Sequence, residues 1–487
     1  MTMTTRQIRT VGTRSRRVVR LLAGAGIFVA ACNNFDVQNL NAPTAETLTS
    51  SPSRDVLGRA AIGIQTQTTN DRGGIIQQWG IYGREGWNLL GNDPRETGEE
   101  IRGPQDPGGR AGGIWSLQYQ AIRTINTYLA ALANATALTP QESKAALGFA
   151  KTLKAWHLHI LAIRSGPTGI PIDVDRPISD PPAPLVSMDA AMTAASALFD
   201  EAYTDLQAGG SSFPFSFVPG YTGFTTPATF AQFNRALAAK LLVHRATFTN
   251  CTACWAQAST AIGQSFITET GLPDALKLGV YFGYTGAAGE QSNPVSEALT
   301  SNRYWVHPSI ISGAQLQANG EPDLRLTTKT ALAPAPRTIT STAGSLTGTY
   351  KPVMYNDPVT LAPNLGADVP WIINEELLLL RAEIRWNTGN KAGALSDIDL
   401  VRVNAGGLAP TTLTTGSSDS AFIDELLYNR LYSLMWTQGT RWIDARRYGR
   451  TGSLPIDRTG DVVHPNMLIP SAECDARRLT VPCSIGS

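Results

Sequence analysis

The chain has 487 residues, with 40 Lys and Arg against 39 Asp and Glu and a 42 % share of hydrophobic side chains. That length can bury a large core, as two or three ordinary domains or as one long helical-repeat body. The near-balance of charge, with no basic run beyond the first 20 residues, excludes the electrostatic footprint of a nucleic-acid binder and a polybasic membrane patch.

The first element is a leader. Arg6, Arg9, Arg14, Arg16, Arg17 and Arg20 stand in residues 1–20 without an acid, and the apolar run Leu21 to Ala31 follows. Such a run is about half of what a membrane-spanning helix needs, so the pattern reads as a secretory signal with a positive n-region and a short h-region. Its end, Val29-Ala30-Ala31-Cys32, resembles a bacterial lipobox, which implies removal of residues 1–31 and acylation of Cys32. Several acyl chains on one residue give a stable tether where one is marginal. The alternative is an ordinary cleaved signal with a chance cysteine. Arg16-Arg17 is a weak twin-arginine pattern, because Arg20 stands where an apolar residue is wanted. Without the six leader arginines, 34 basic residues face 39 acidic ones, a mature net charge of −5.

Apolar periodicity predicts helices over 53–69, 113–134, 140–164, 187–208, 227–249, 253–267, 372–388, 390–404 and 419–438. Several form antiparallel-looking pairs. In 375–407, Gly389-Asn390 separates two helices whose small residues Ala382 and Ala394 let the axes approach, a tetratricopeptide-like hairpin; 113–164 reads as another, around Thr139-Pro140. Three stretches, 70–112, 209–226 and 268–370, read as long irregular regions, the third with short strands in "RLTTKTAL", "RTITSTAG" and "YKPVMY". Beyond Cys32 the cysteines are Cys251, Cys254, Cys474 and Cys483, which in an oxidising compartment suggest two short-loop disulfides, 251 to 254 and 474 to 483. Free thiols are the alternative for the CxxC pair. A zinc site is disfavoured because no second pair stands at ligand spacing. His157 and His159 point apart by about 200° on a helix, so they read as one buried and one exposed histidine rather than a metal pair.

At the C-terminal end, "LLYNRLYSLMWTQGTRWIDARRYGR" places Gly439, Arg441, Trp442, Asp444 and Arg447 in a pattern that resembles the late motif of the SusD/RagB nutrient-binding outer-membrane lipoproteins. Four further segments agree in order: the lipobox with "FDVQNLNAPT" (Phe35 to Thr44), "GIPI" (Gly169 to Ile172), "AEIRWNTGNKAGALSDIDLVRVNAG" and "NMLIPSAECDA" (Asn466 to Ala476). The family usually has Glu where Asn429, Ser433 and Gln438 stand, so the arginines Arg430, Arg441 and Arg446 are expected to be less tightly paired. The motif itself reads as structural, with Gly439 ending a helix and Trp442 and Tyr448 in the core.

The resemblance implies a mainly α fold: a superhelix of tetratricopeptide-like hairpins with long irregular loops and a few β-hairpins. It implies a signal peptide at 1–31 and one SusD-like domain at 32–487, with an N-terminal part to about 270, an insertion over about 268–370 and a helical part at 371–487. It also implies a non-catalytic, cell-surface lipoprotein of the outer membrane, anchored through its lipid. Such a protein captures an oligosaccharide or other nutrient for a SusC-like TonB-dependent transporter, with no cofactor, metal or nucleic acid.

Sugar capture needs aromatic faces and planar polar side chains. Seven of the ten tryptophans lie on or beside predicted helices or in the motif, whereas Trp79, Trp87 and Trp305 stand in turn-rich segments. With Tyr82, Arg84, Asn88, Asn92, Asp93, Tyr281, Tyr284, Asn302 and Tyr304 they are the candidate ligand contacts, and replacing Trp87 or Trp305 by Ala is expected to weaken binding without lowering the melting temperature. Catalysis finds no support, since there is no nucleophile elbow, P-loop or dinucleotide fingerprint, and Glu99-Glu100 and Glu375-Glu376 are adjacent rather than opposed. Capture of a peptide, or a scaffold role for the helical grooves, are the competing functions.

Overall fold

The computed structural model describes residues 51–486 apart from 71 and 178. The leader at 1–31, Cys32 and the segment 35–44 lie outside the described residues.

Helix α1 (Arg54–Asn70) turns Leu57, Ala61 and Ile64 inward at helical spacing. It is followed by α2 (Arg72–Tyr82), inside a stretch expected to be irregular. Every residue from Ile75 to Tyr82 is buried, so this part of α2 has no solvent face and therefore no apolar period by which to recognise it. After strand β1 (Gly86–Asn88), α3 (Ala111–Ala133) and α4 (Pro140–Ser165) form the first antiparallel hairpin.

Thr139 starts α4 with a reciprocal cap: its hydroxyl accepts from the Glu142 N–H at 3.2 Å, and the Glu142 carboxylate accepts from the Thr139 N–H at 3.0 Å. Thr139→Ala is expected to lower stability by about 1 kcal/mol in urea unfolding, with no change in fold. Because α4 is enclosed from Ala155 to Ser165, His157 and His159 are both buried, which corrects the expectation that one would be exposed. His157 meets Thr68 and Gln118, while His159 meets His244 at 3.1 Å; burial pushes both imidazoles down to about 3, so they are neutral.

The short ribbon of β2 (Ile170–Pro171) and β3 (Leu185–Val186) leads to α5 (Met188–Gln207), α6 (Pro227–Phe248) and α7 (Ala253–Gly263). Each helix from α3 to α7 packs on its neighbour in sequence. Helix α7 ends four residues before the expected 267, where the Ser265 hydroxyl turns back onto the Ile262 carbonyl at 2.6 Å. Cys251 and Cys254 are joined by a disulfide.

The stretch that follows carries β4 (Gly279–Phe282), β5 (Tyr304–Val306), α8 (Pro308–Ser312), α9 (Leu324–Lys329), β6 (Thr330–Ser341), β7 (Gly344–Pro352) and β8 (Val369–Ile373). Among the described residues the strand pairs are antiparallel: β1 with β5, β4 with β8, and β6 with β7 as a long hairpin. The chain then returns to helices α10 (Asn374–Asn387), α11 (Lys391–Asn404), α12 (Asp419–Leu434), α13 (Thr440–Arg447) and α14 (Ser471–Ala476). In the α10–α11 hairpin Ala382 and Ala394 are fully buried at the crossing, and Arg381 and Arg385 reach across to Asp397 at 2.6 and 2.8 Å.

Helix α12 stops at Leu434 rather than 438, because the Trp436 N–H is drawn to the buried Glu85 carboxylate at 2.7 Å with its own φ at +57°. Gly439 is consequently not the end of α12 but the residue that begins α13. Its φ is +66°, and a Cβ there would lie 2.1 Å from Cβ of Trp79, so the position accepts only glycine.

Around this turn Asp444 receives Arg430 and Arg447, each at 2.7 Å, and Arg447 also pairs with Glu383. Arg441 instead donates to the Arg84 carbonyl at 2.7 Å and to the Ser309 hydroxyl at 3.0 Å. At the positions where the family usually has Glu, the Asn429 and Ser433 side chains accept from Arg325 at 3.1 and 3.0 Å, and Gln438 donates to the Trp371 carbonyl at 3.0 Å. The fold is thus mainly α, with helical hairpins stacked in sequence and short antiparallel strand pairs between them.

Candidate functional site

The two segments expected to build a ligand surface do meet. They meet as a ladder, with Trp87 directly opposite Trp305 and Asn88 opposite Tyr304. What covers them is the β6–β7 hairpin: Ala333, Leu346 and Ile339 close over Trp87, Leu89 and Trp305 in a small core of their own. A Cβ on Gly348 would lie 2.7 Å from the Trp305 ring, the Lys351 ammonium sits 4.4 Å from the ring centre on the same indole, and the indole N–H donates to the Asn302 carbonyl at 2.9 Å. Burial lowers Lys351 to about 8.

The other aromatic candidates are also interior. Trp79 packs on Trp442 at 5.5 Å and donates to the Met467 sulfur, and Tyr82 lies between Trp442 and His464. Tyr284 is buried, and the Tyr304 hydroxyl donates to Gln77 at 3.0 Å. Arg84 is fully buried and donates to the carbonyls of Ile81 and Val462 at 3.0 and 2.8 Å, while Asn88 donates to Glu96 at 2.6 Å. Asp93 caps the turn at 94–96 and pairs with Arg95 and Arg110 at 2.8 and 2.9 Å. Tyr281 is half-buried, with its hydroxyl donating to the Lys277 carbonyl. Only Asn92 and Asn302 of the set are well exposed.

The expectation that Trp79, Tyr82, Arg84, Trp87, Asn88, Tyr284, Tyr304 and Trp305 face a ligand is therefore corrected: they hold the irregular regions onto the helical body. For Trp87 and Trp305 the physical reason is the hairpin, whose apolar inner face removes from water the indoles that local sequence leaves in loops, whereas Trp79, Tyr82, Tyr284 and Tyr304 are taken into the main core.

Below this ladder Arg110 sits among Asp93, Glu96 and Glu100 at 2.9, 2.9 and 3.4 Å, and burial pushes the Glu100 carboxyl up to about 8. Among the described residues no group of three or more His, Cys, Asp or Glu side chains is placed to hold a metal ion.

A concave surface with suitable chemistry lies elsewhere. A cleft of about 510 Å³ runs between α3, the loop joining β2 to β3, and the start of α14. Such a volume falls within the range of small-ligand sites. Tyr119, half-buried, lines it beside the nearly buried Trp115, with ring centres 4.9 Å apart, and the Tyr119 hydroxyl donates to the Pro171 carbonyl at 2.8 Å. Ser116, Gln120 and Arg123 follow one another along the exposed stripe of α3, and Glu473 and Arg477 face them from the C-terminal segment. Arg477 is fixed by Glu473 at 2.6 Å and lines a second cavity of about 730 Å³, which adjoins the first at Pro182. The disulfide between Cys474 and Cys483 closes the segment that walls both cavities.

The reading of 113–134 as one helix of a packed hairpin leaves this cleft out. The available signal was the polar stripe 116, 120 and 123 beside a tyrosine, followed downstream by a proline-rich loop, "DPPAP".

No family model and no curated protein matches the chain. Solved structures do match. NanU of B. fragilis aligns at a TM-score of 0.65 and 14 % identity, over 92 % of this chain and 99 % of that one. A SusD superfamily protein from Bacteroides vulgatus aligns at 0.64 and 14 %, over 87 % and 97 %. Surface glycan-binding protein A from Bacteroides fluxus aligns at 0.63 and 16 %, over 90 % and 100 %. The chain has the SusD-superfamily fold, so the resemblance read from its C-terminal motif holds at the level of architecture.

Proposed function

We propose that the chain is a non-catalytic, cell-surface glycan-binding protein of the outer membrane, tethered through acylated Cys32, that delivers oligosaccharide to a TonB-dependent transporter. The observation that carries the reading is the fold, which matches a surface glycan-binding protein over that protein's whole length. The cleft on α3 supports it, offering a tyrosine face for the C–H side of a sugar ring and Gln120, Arg123 and Glu473 for its hydroxyls.

Calorimetry of the mature protein against a panel of oligosaccharides and peptides tests the capture role, and co-purification after mild detergent extraction tests the transporter. Binding of peptides but no oligosaccharide overturns the glycan assignment. Tyr119→Ala is expected to weaken oligosaccharide binding about ten-fold or more. Gln120→Ala, at an exposed position, is expected to weaken it several-fold while changing stability by less than about 0.5 kcal/mol. Oligosaccharide binding that survives both substitutions places the site elsewhere without removing the function.

A further inference from the structure

A second cleft, of about 450 Å³, opens between the end of α4, the start of α5 and the end of α6, and shares no lining residue with the first. Gly166, Pro167, Met188 and Phe248 line it, and Arg446 of α13 supplies its cation. The Arg446 guanidinium lies 4.1 Å from the centre of the Trp442 ring and 5.3 Å from that of Phe248. One of its nitrogens, Nη1, donates to the Ile163 carbonyl at 2.8 Å.

Among the described residues no carboxylate oxygen comes within 4.0 Å of this guanidinium. The contrast with its neighbour is sharp, since Arg447 is held by both Glu383 and Asp444. The acid that does line the cleft, Asp189, is already engaged by Arg245 at 2.8 Å and by the Thr249 hydroxyl at 3.0 Å. The N-terminus of α5, a helix of 20 residues, opens on the same cleft and adds its positive dipole end.

We propose that this cleft binds a carboxylate group, with Arg446 as its bidentate partner and the Phe248 ring as an apolar wall. A planar guanidinium fork, oriented by aromatic stacking and left without an acid, matches a carboxylate in geometry and charge. Burial lowers Arg446 to about 9, an unfavourable desolvation that an incoming anion offsets. The proposal does not depend on the glycan reading of the α3 cleft. The carboxylate can come from an acidic sugar or from the C-terminus of a short peptide, and separate probes distinguish the two.

The test is calorimetry on the mature chain with glucuronate, with N-acetyl-diglycine and with glucose as the neutral control. At least one carboxylate probe is expected to bind about ten-fold more tightly than glucose, and Arg446→Met, which keeps much of the stem, is expected to abolish that difference. A second measurement needs no variant: phenylglyoxal modification of Arg446, mapped by mass spectrometry, is expected to slow with the bound carboxylate and not with glucose. Failure of both carboxylates to bind, or full binding by a folded Arg446→Met, or modification of Arg446 that neither carboxylate slows, overturns the proposal.

Discussion

Trp305→Ala is expected to destabilise the protein by about 3–5 kcal/mol, the usual cost of emptying a buried tryptophan site, and to leave oligosaccharide affinity unchanged in the fraction that remains folded. The reason is the cover over the indole. Trp305 is 2 % exposed and packs with Trp87, Leu89 and Leu346 under the hairpin, so its removal leaves a cavity there and strips the Lys351 ammonium of its ring. This reverses the expectation from sequence, in which the same substitution spared stability and weakened binding. Urea unfolding followed by fluorescence, together with calorimetry of the folded variant, decides the matter. An unchanged unfolding midpoint with lost affinity would mean that the hairpin lifts and that the Trp87–Trp305 ladder is a ligand surface after all.

Asp444→Asn is expected to cost about 3–5 kcal/mol as well, by a different route. Asp444 receives the Nε atoms of both Arg430 and Arg447, and all three residues are buried. Asparagine keeps the volume but withdraws the charge, leaving two guanidinium groups in the interior with one fewer anion. Burial opposes ionisation of Asp444, yet Arg430 and Arg447 together hold its carboxyl below the ordinary 3.8. Its stabilising contribution is therefore complete above the unfolded value and declines as pH falls through the lower folded one. The stability gap between wild type and Asp444→Asn should be constant from neutral pH to about 5 and narrow below about 4. A gap that stays constant down to pH 3 would mean that the charge of Asp444 is not what holds the two arginines.

Helices such as α1, α3 and α5 were legible because each keeps one wet face. The spacing of Leu57, Ala61 and Ile64 marks α1, and Thr139-Pro140 marks the start of α4 by a mechanism that is entirely local. Helix α2 was not legible because it is short, 11 residues with three glycines, and is dry on every side from Ile75 onward. The end of α12 was misplaced for a related reason. Glu85 lies 351 positions away from Trp436, and no local pattern reports that its carboxylate will capture that backbone N–H.

The candidate site failed on exposure rather than on proximity. The aromatic loops are neighbours in space, as Trp87 opposite Trp305 shows, but whether an indole meets water depends on a hairpin assembled from residues 330–352. The α3 cleft escaped notice because its tyrosine stands on a helix that also packs, and a helix can do both when a polar stripe borders its apolar one.

The β6–β7 hairpin is a two-stranded ribbon, and such ribbons present unpaired backbone that invites a further strand from another molecule. Its ladder breaks between Leu332 and Arg337, where Ala333-Pro334-Ala335-Pro336 bulges out against a single residue, Thr349, of β7. The two prolines have no amide hydrogen to donate, and the bulge bends the strand, so an incoming chain finds neither a straight template nor a full row of donors. This interruption makes the ribbon a poor template for strand addition, and replacing both prolines by residues that carry an amide hydrogen is expected to raise the tendency of the molecule to aggregate.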